Sequence, residues 1–317
     1  MSIYLGIDTS NYTTSIALYD SEQNRIEHIK KLLPVKKGEC GIRQSDAVFH
    51  HNVALPQLAQ ELFSNTSFNA PIKCVGVSAY PRCVEGSYMP CFLAGVSAAK
   101  TTAVAIGTSC CEFSHQQGHI VSALYSCGRL DLLKNEFIAF HLSGGTTEVL
   151  LVTPSKDNII DTKIIAESSD LKAGQAIDRV GIMLGLNFPA GMELDKLATQ
   201  SKKDFKIKPS VKELSCSFSG VENKCKKMIS DGEMPCDIAR YCIEYIYATL
   251  DVITGKLVSE YKSFSLVFSG GVMSNSIIRD RMSKKYNALF AKPEFSSDNA
   301  AGIAILTSMK DNNYEIT

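Results

Sequence analysis

The hydrophobic pattern begins with two apolar runs joined by a short polar turn, and the same arrangement returns near the middle of the chain. Residues 3–7 and 13–19 form the first pair of runs, and residues 137–142 and 146–153 form the second pair. Apolar runs of this length that flank turn residues are typical of β-hairpins. Because two threonines follow each turn, we interpret the units as copies of one motif, and the sequence predicts a duplicated fold with one hairpin in each lobe.

The rest of the pattern alternates between helical and extended periodicity, which predicts the α/β class. The predicted helices are residues 45–63, 91–106, 174–186 and 236–261, one that starts at Ser274, and a last one that is capped by Ser297 and runs to Met309. The predicted strands outside the hairpins are residues 72–79, 162–166 and 265–268. A chain of 317 residues exceeds the usual size of one domain. We therefore expect two lobes around a cleft, with residues 1–110 plus 298–317 in the N-terminal lobe and residues 111–297 in the C-terminal lobe.

Composition and charge narrow the class of protein without identifying a ligand. The 33 basic residues balance the 33 acidic residues, so a nucleic acid partner would require a local surface or another subunit. The 11 cysteines are scattered, and no signal peptide precedes them, so we expect reduced thiols in a cytoplasmic protein. The longest apolar stretch, residues 91–106, is shorter than the ~20 residues of a membrane span, and we expect no membrane partner.

Two turns of the form Ser-Gly-Gly, at residues 143–145 and 269–271, directly follow predicted strands. Glycine lets backbone amides approach an oxyanion closely, and such turns bind phosphate groups. The residues concerned are Ser143, Gly144, Gly145, Gly270 and Gly271. A third strand ends in Asp8, Thr9 and Ser10. Together the three turns predict a site for an adenine nucleotide.

A pair of histidines, His115 and His119, is separated by four positions. On a helix this spacing brings both imidazoles to one face, where they can bind one metal ion, although two ordinary surface histidines would show the same spacing. Gln116 stands where a His-Glu-x-x-His metalloprotease has its catalytic glutamate. We therefore do not expect peptide hydrolysis through that motif.

Several short motifs occur in a specific order along almost the whole chain. Besides the histidine pair, they are Gly6-Ile-Asp-Thr-Ser10, Leu142-Ser-Gly-Gly145, Ala173-Gly-Gln-Ala-Ile-Asp178, Pro189-Ala-Gly191, Ser217-Phe-Ser-Gly220, Ser269-Gly-Gly-Val272 with Asn275, and Ser297-Asp-Asn-Ala-Ala301. In this order they resemble the transferase subunit of the tRNA threonylcarbamoyladenosine synthase family, formerly labelled O-sialoglycoprotein endopeptidase. The resemblance implies the two-lobed fold of actin-like ATPases and sugar kinases, a duplicated ribonuclease H-like fold.

The resemblance also implies roles for individual residues. Asp298 would complete a metal site with His115 and His119, and the metal would be Fe or Zn. The remaining assignments are phosphate and acyl binding by Leu142, Ser143, Gly144 and Gly145, ribose binding by Asp178 and Gly191, nucleotide binding by Asn275, and a catalytic turn of Asp8, Thr9 and Ser10. The implied reaction transfers threonylcarbamoyl from threonylcarbamoyl-AMP to the N6 of a tRNA adenosine next to the anticodon, with the help of partner subunits.

The chain departs from the family pattern at four places. Asp8 stands where family members usually have a glutamate, and Tyr12 and Thr13 replace two acidic residues. Residues 80–82 replace a Gly-Pro-Gly-like loop, and Thr146 replaces a histidine. These changes favour a divergent member or paralogue, so a second hypothesis is a nucleotide- and metal-binding protein that acts on another acceptor or serves as a non-catalytic partner subunit. A third hypothesis, a kinase or ATPase of the same fold, requires one aspartate to hold Mg²⁺ and another to act as the base, and only Asp8 is an obvious candidate.

Overall fold

The computed structural model describes residues 2–10, 12–35 and 42–313, which form an α/β protein. The strands are β1 Ile3–Asp8, β2 Thr13–Asp20, β3 Arg25–Leu32, β4 Ile72–Tyr80, β5 Ser109–Ser114, β6 Phe137–Leu142, β7 Thr147–Ser155, β8 Ile159–Glu167, β9 Ser210–Lys212, β10 Ser215–Ser217, β11 Ser265–Ser269 and β12 Ala288–Phe290. The helices are α1 Gln44–Asn65, α2 Phe92–Ala105, α3 His115–Ser126, α4 Ala173–Met183, α5 Gly191–Ala198, α6 Ser219–Ser230, α7 Pro235–Glu260, α8 Ser276–Lys285, α9 Pro293–Ser296 and α10 Ala301–Asp311. Within these described ranges, no helix is both long and apolar enough to cross a membrane.

Two five-stranded sheets share one topology. The strand order is β3-β2-β1-β4-β5 in the first sheet and β8-β7-β6-β11-β12 in the second. In each sheet the first three strands pair antiparallel, and the last two join them in parallel. The predicted duplicated α/β fold, with one hairpin in each half, is therefore confirmed.

Helices α3 and α10 pack against each other and contribute to a core that both sheets share. Its buried side chains include Tyr4 of β1, Phe137 of β6 and Ile303 of α10. The two helices cross at a pair of glycines, because a Cβ atom on Gly302 would lie 1.9 Å from the carbonyl oxygen of Gly118. Only glycine permits this approach, and the crossing brings the first turn of α3 next to the segment that precedes α10.

The last helix begins later than expected. α10 starts at Ala301, and Ser297 lies in a bend before it, where its hydroxyl accepts a hydrogen bond from Lys30 Nζ at 2.7 Å. Asn299 instead bonds to the first turn, since its Oδ1 accepts a hydrogen bond from Ala301 N at 3.1 Å. The prediction that Ser297 caps this helix was wrong, because the bend separates it from the first helical residue.

The helix expected from Ser274 also starts later. A 3₁₀ turn covers Gly271–Ser274, and α8 begins at Ser276. Asn275 caps α8, because its Oδ1 accepts a hydrogen bond from Ile278 N at 3.0 Å. The second Ser-Gly-Gly turn is thus separated from the helix by one 3₁₀ turn.

The expected lobe boundary between residues 110 and 111 falls inside β5, which pairs with β4 of the first sheet. The division of the chain into the two lobes stays a prediction.

Candidate functional site

The histidine pair lies in the first two turns of α3. Ser114 caps this helix in a reciprocal arrangement, because its hydroxyl accepts a hydrogen bond from Gln117 N at 3.1 Å and its own amide donates to Gln117 Oε1 at 2.9 Å. The cap fixes the start of the helix, so that His115 and His119 project on the same side. Their Nε2 atoms are 2.8 Å apart.

Asp298 reaches the two imidazoles from the bend before α10. Its Oδ1 lies 3.0 Å from His119 Nε2 and 3.5 Å from His115 Nε2. These three residues, called here the His–His–Asp cluster, offer ligand atoms that all lie within 4.8 Å of one another. Ligands bound at about 2.0–2.2 Å around a tetrahedral metal are separated by roughly 3.3 Å, so the cluster fits a divalent transition metal.

Asp8 contacts the cluster at His115 Nδ1, the ring nitrogen that does not face His119. Its Oδ2 lies 3.0 Å from His115 Nδ1, and its Oδ1 accepts a hydrogen bond from Ser10 N at 2.8 Å. The Ser10 hydroxyl lies 3.3 Å from His115 Nε2. A carboxylate on the far nitrogen of a histidine fixes the orientation and tautomer of that ring. Asp8 therefore acts on the cluster through His115.

Thr9, the middle residue of the Asp8-Thr9-Ser10 turn, makes its hydrogen bonds to the scaffold and not to the cluster. Thr9 Oγ1 donates a hydrogen bond to the carbonyl oxygen of Cys91 and accepts one from Gly95 N, both at 3.0 Å. Thr9 is buried and joins β1 to α2. The structure thus brings Asp8 and Ser10 to the cluster, whereas Thr9 contacts the scaffold.

Charge within the cluster is distributed unevenly. Burial lowers the pKa of His115, but the Asp8 and Asp298 carboxylates outweigh burial and raise it to about 10. Burial and the charge of His115 lower the pKa of His119. Burial acts to raise the pKa of Asp298, yet hydrogen bonds and charge from both histidines hold it well below its usual value. The nearby carboxylates thus stabilise positive charge at His115.

A cavity of about 500 Å³, called here the main cavity, opens in front of the cluster. All three cluster residues line it, together with Ser143, Gly145 and Thr146 at the turn between β6 and β7. This turn is closed by a hydrogen bond from Ser143 N to the carbonyl oxygen of Thr146 at 2.8 Å. Residues 143–145 are called the glycine turn below, and two of them, Ser143 and Gly145, share the main cavity with the candidate metal ligands.

Two glycines behind the glycine turn serve the fold. Gly270 has φ +94°, and a Cβ atom there would lie 2.1 Å from the carbonyl oxygen of Leu142. A Cβ atom on Gly174 would lie 2.4 Å from the carbonyl oxygen of Ser143. In contrast, a Cβ atom on Gly144 or Gly271 would meet no atom within 4 Å. Gly144 and Gly271 therefore expose backbone to open space.

A smaller cavity of about 130 Å³ lies on the other side of the glycine turn. It is lined by Tyr12, Gly144, Gly145, Gln175, Asp178, Arg179 and Phe188. Asp178 Oδ1 accepts a hydrogen bond from Ala190 N at 2.8 Å, and burial raises the pKa of this carboxyl more than the hydrogen bond lowers it. Asp178 thus lies beside the glycine turn, the expected phosphate site.

Other predicted nucleotide ligands have structural contacts. Leu142 is buried in β6, and Gly191 opens α5, with Ile177 Cγ2 4.0 Å from the position of a Cβ atom. Asn275 uses its Oδ1 to cap α8, while its Nδ2 is buried with no hydrogen-bond partner among the described residues. None of these three is among the described residues that line the two cavities.

The sequence interpretation missed several residues of the main cavity. His141 lies in β6, and its ring centroid is 4.2 Å from that of His119. Its Nδ1 is 3.4 Å from Ser269 Oγ, and burial lowers its pKa well below the usual value. Arg82 and Glu148 form an ion pair that also lines the main cavity. A polar residue in an otherwise apolar strand next to a Ser-Gly-Gly turn was the available signal for His141.

Comparison with solved structures bears on the fold alone. An activator of 2-hydroxyisocaproyl-CoA dehydratase from Clostridium difficile with bound ADPNP superimposes with a TM-score of 0.54 at 12% identity, covering 99% of this chain and 98% of that one. A ROK family glucokinase from Streptomyces griseus gives 0.52 at 11% identity, with 97% and 100% covered. Full-length HypF gives 0.59 at 12% identity, and this chain, 98% covered, spans 55% of that longer chain. The fold is that of actin-like ATPases and sugar kinases, as expected.

Comparison of sequences identifies the family. The model of the TsaD family, described as tRNA N6-adenosine threonylcarbamoyltransferase, matches residues 24–305. A relative of that name from Francisella tularensis subsp. holarctica (strain LVS) is 27% identical, with 99% of this chain and 97% of that protein covered. Another from Wigglesworthia glossinidia brevipalpis is 28% identical, with 97% and 92% covered. Because the family model spans most of the chain, the protein belongs to the TsaD family of tRNA N6-adenosine threonylcarbamoyltransferases.

Proposed function

We propose that this protein transfers the threonylcarbamoyl group from threonylcarbamoyl-AMP to the N6 of the adenosine next to the anticodon in tRNA, and that one divalent metal per subunit is required. The observation that carries the proposal is the convergence of the His–His–Asp cluster and the glycine turn on the main cavity. Family membership and the names of the relatives support the same activity. The proposed substrate carries a carbonyl group that a metal in the cluster could bind and a phosphate group that the glycine turn could bind.

The cluster suits Fe²⁺ or Zn²⁺ better than Mg²⁺. Two imidazoles and one carboxylate are ligands that Fe²⁺ and Zn²⁺ both accept, whereas Mg²⁺ prefers oxygen ligands alone. His115, His119 and Asp298 would hold the ion, and Asp8 would hold His115 in the orientation for binding. A bound ion would act as a Lewis acid on the carbamoyl carbonyl.

The reaction requires one acyl transfer. The N6 amine of the adenosine attacks the carbamoyl carbon, a C–N bond forms, the C–O bond to the phosphate breaks, AMP leaves and the amine releases one proton. No side chain of this protein has to act as a nucleophile, since positioning of two substrates and stabilisation of the developing oxyanion supply the rate. The amides of the glycine turn would hold the phosphate of AMP, and Asp178 would accept hydrogen bonds from the ribose hydroxyls.

The test is nucleoside analysis of tRNA. Unmodified tRNA is incubated with threonylcarbamoyl-AMP and the protein, with or without the partner subunits of the modification complex, and its nucleosides are measured by mass spectrometry. We expect threonylcarbamoyladenosine with the complete set and little with the isolated, electroneutral chain, because weak tRNA binding limits it. His119→Ala should abolish the product, whereas His50→Ala, in α1, should not.

Complementation of a cell that lacks its own transferase gives a second measurement. Restored modification would support the proposal. Absence of the product in both experiments, with a folded and metal-loaded protein, would contradict it and favour the paralogue that acts on another acceptor or serves as a partner subunit. In that case Tyr12→Asp with Thr13→Glu tests whether the neutral turn is the cause.

A further inference from the structure

Besides the His–His–Asp cluster and the glycine turn, the main cavity is lined by most of the loop after β4, residues 81, 82 and 84–89. Among the described residues that line the cavity, Arg82 is the only lysine or arginine, whereas Glu85, Glu148 and Asp298 are acidic. Arg82 is thus the one guanidinium or ammonium group among these described lining residues, whose other polar groups are carboxylates, hydroxyls, amides and imidazoles.

The backbone around Arg82 is held on both sides. The carbonyl oxygen of Pro81 accepts a hydrogen bond from Gln116 N at 3.1 Å, which ties the loop to the first turn of α3. Arg82 N donates to the Ser87 hydroxyl at 3.0 Å, which closes the loop on itself. The position of Arg82 is therefore coupled to the helix that carries both histidines of the cluster.

The guanidinium group is oriented by a chain of buried hydrogen bonds. Arg82 Nη2 donates to Glu148 Oε1, while Glu148 Oε2 accepts from Gln116 Nε2 at 3.1 Å. Gln116 Oε1 in turn accepts from Thr162 Oγ1 at 2.8 Å. The side chain of Glu148 is 1% exposed, whereas that of Arg82 is 40% exposed toward the cavity. Both Glu148 oxygens are thus engaged, and no described residue accepts a hydrogen bond from Arg82 Nε or Nη1.

We propose that Arg82 binds the carboxylate of the transferred acyl group and so selects an amino-acid-derived donor. This inference rests on the proposed function, which assigns the carbonyl of the donor to the cluster and its phosphate to the glycine turn. The threonyl carboxylate is the remaining charged group of that donor. Glu148 accepts from Nη2 alone, so the second hydrogen of Nη2 together with a hydrogen of Nε or Nη1 can still donate two parallel hydrogen bonds to a second carboxylate. Glu148 is then a positioning residue.

Calorimetry with three probes tests the assignment. The probes are AMP, a hydrolysis-resistant analogue of threonylcarbamoyl-AMP, and the same analogue with the threonyl carboxylate converted to a carboxamide. We expect the protein to bind the carboxylate analogue at least about tenfold more tightly than the carboxamide, as for one charge-assisted hydrogen-bonded pair. In Arg82→Gln this preference should fall to about onefold while AMP affinity stays within about twofold.

Two further variants keep the result interpretable. Arg82→Gln combined with Glu148→Gln removes both charges, so it tests the preference without an unpaired buried carboxylate if the single variant unfolds. Arg281→Gln is the matched control, because Arg281 is also 40% exposed and paired with a buried glutamate, Glu244, away from the cavity. It should retain the full preference for the carboxylate.

The outcomes separate the two proposals. If both analogues bind equally and more tightly than AMP, or if the preference survives in the Arg82 variants, the carboxylate site is wrong while the proposed donor stands. If neither analogue binds more tightly than AMP, the donor assigned under the proposed function is wrong, and the assignment of Arg82 is overturned with it.

Discussion

The turns of the two hairpins lie at equivalent positions in sheets of the same topology, but their polar atoms are used differently. In the first turn, the Asp8 carboxylate contacts Ser10 N and His115 Nδ1, so both oxygens are engaged within the protein. In the second turn, Gly144 faces open space, where a Cβ atom would meet nothing within 4 Å. One turn thus positions a protein side chain, whereas the other leaves its backbone accessible to a ligand.

This difference shows how the two halves of a duplicated fold can place two different kinds of turn beside one cavity. The strand order provides a turn at the end of the first strand in each half. A carboxylate at that place orients an imidazole, and glycines at that place let backbone amides approach an anion. The second turn is also packed from behind by Gly174 and Gly270, which approach its backbone too closely for any side chain.

The largest expected effect is on metal binding by the His–His–Asp cluster, which the first turn contacts through Asp8. His119→Ala removes one of three ligand atoms, so we expect protein purified without chelators to lose its stoichiometric Fe or Zn while its circular dichroism spectrum is unchanged. Elemental analysis measures the metal, and His50→Ala is the control. If the unaltered protein carries no metal and takes up none from Fe²⁺ or Zn²⁺ solutions, the metal site is wrong.

The second prediction concerns the two Ser-Gly-Gly turns, residues 143–145 and 269–271. Gly144→Val and Gly271→Val add bulk where nothing in the protein resists it, so we expect a normal fold and AMP affinity reduced by about 100-fold, the equivalent of two hydrogen bonds to a charged group. Calorimetry gives the affinity. Gly255→Val, at an exposed helix position with Tyr286 Oη 3.5 Å from the added Cβ, is the control.

Gly270→Ala sharpens the same prediction, because φ +94° and the clash with Leu142 should destabilise the fold itself. Unchanged AMP affinity in both valine variants would refute the assignment of the phosphate to these turns.

The third prediction concerns Asp8 and is intermediate in size. Asp8→Asn keeps the shape of the side chain but removes the charge that orients His115, so we expect metal affinity to fall by about 10–100-fold with stoichiometric binding still reached at saturation. Competition with a chelator measures the affinity. The control is Asp20→Asn. Asp20 is a buried carboxylate at the C-terminal end of β2 that accepts a hydrogen bond from Glu22 N, so this substitution should leave the metal affinity unchanged. Equal affinity in the two variants would mean that Asp8 has only a structural role.

Local patterns predicted the parts of this architecture that depend on neighbouring residues. The hairpins follow from pairs of apolar runs that flank a short polar turn, and the spacing of His115 and His119 places both on one side of α3 as soon as a helix forms. Asp298 lies 179 positions after His119, and only the family resemblance pointed to it. No periodicity carries information about a contact at that separation.

The missed features are of the same long-range kind. Arg82 and Glu148 are 66 positions apart. They meet because the loop after β4 and strand β7, which belong to different sheets, line the same cavity. His141 was assigned to an apolar strand, and its proximity to His119 depends on how α3 packs against the second sheet. The error at Ser297 has another cause, since a serine before an apolar segment resembles a helix cap even where a bend intervenes.

The smallest predicted effect concerns Asp170, a carboxylate after β8 that contrasts with Asp8 because its partners are neutral. Asp170 accepts hydrogen bonds from Ser217 Oγ at 2.6 Å, Phe218 N at 2.9 Å and Ser219 N at 3.3 Å, at the start of α6. Partial burial acts to raise its pKa, but these hydrogen bonds outweigh burial and hold the pKa below its usual value. A depressed folded pKa means that the stabilisation is present above the unfolded pKa of about 3.9 and is lost as the pH falls further.

Asp170→Asn should therefore lower the free energy of unfolding by about 1 kcal/mol at pH 7, the usual effect of losing a helix cap, and the difference from the unaltered protein should shrink as the pH falls below about 4. Urea unfolding at a series of pH values measures both. Asp204→Asn, an exposed carboxylate in the segment between α5 and β9, is the control. A difference that stays constant down to pH 3 would mean that the shape of the Asp170 side chain, and not its charge, holds the start of α6.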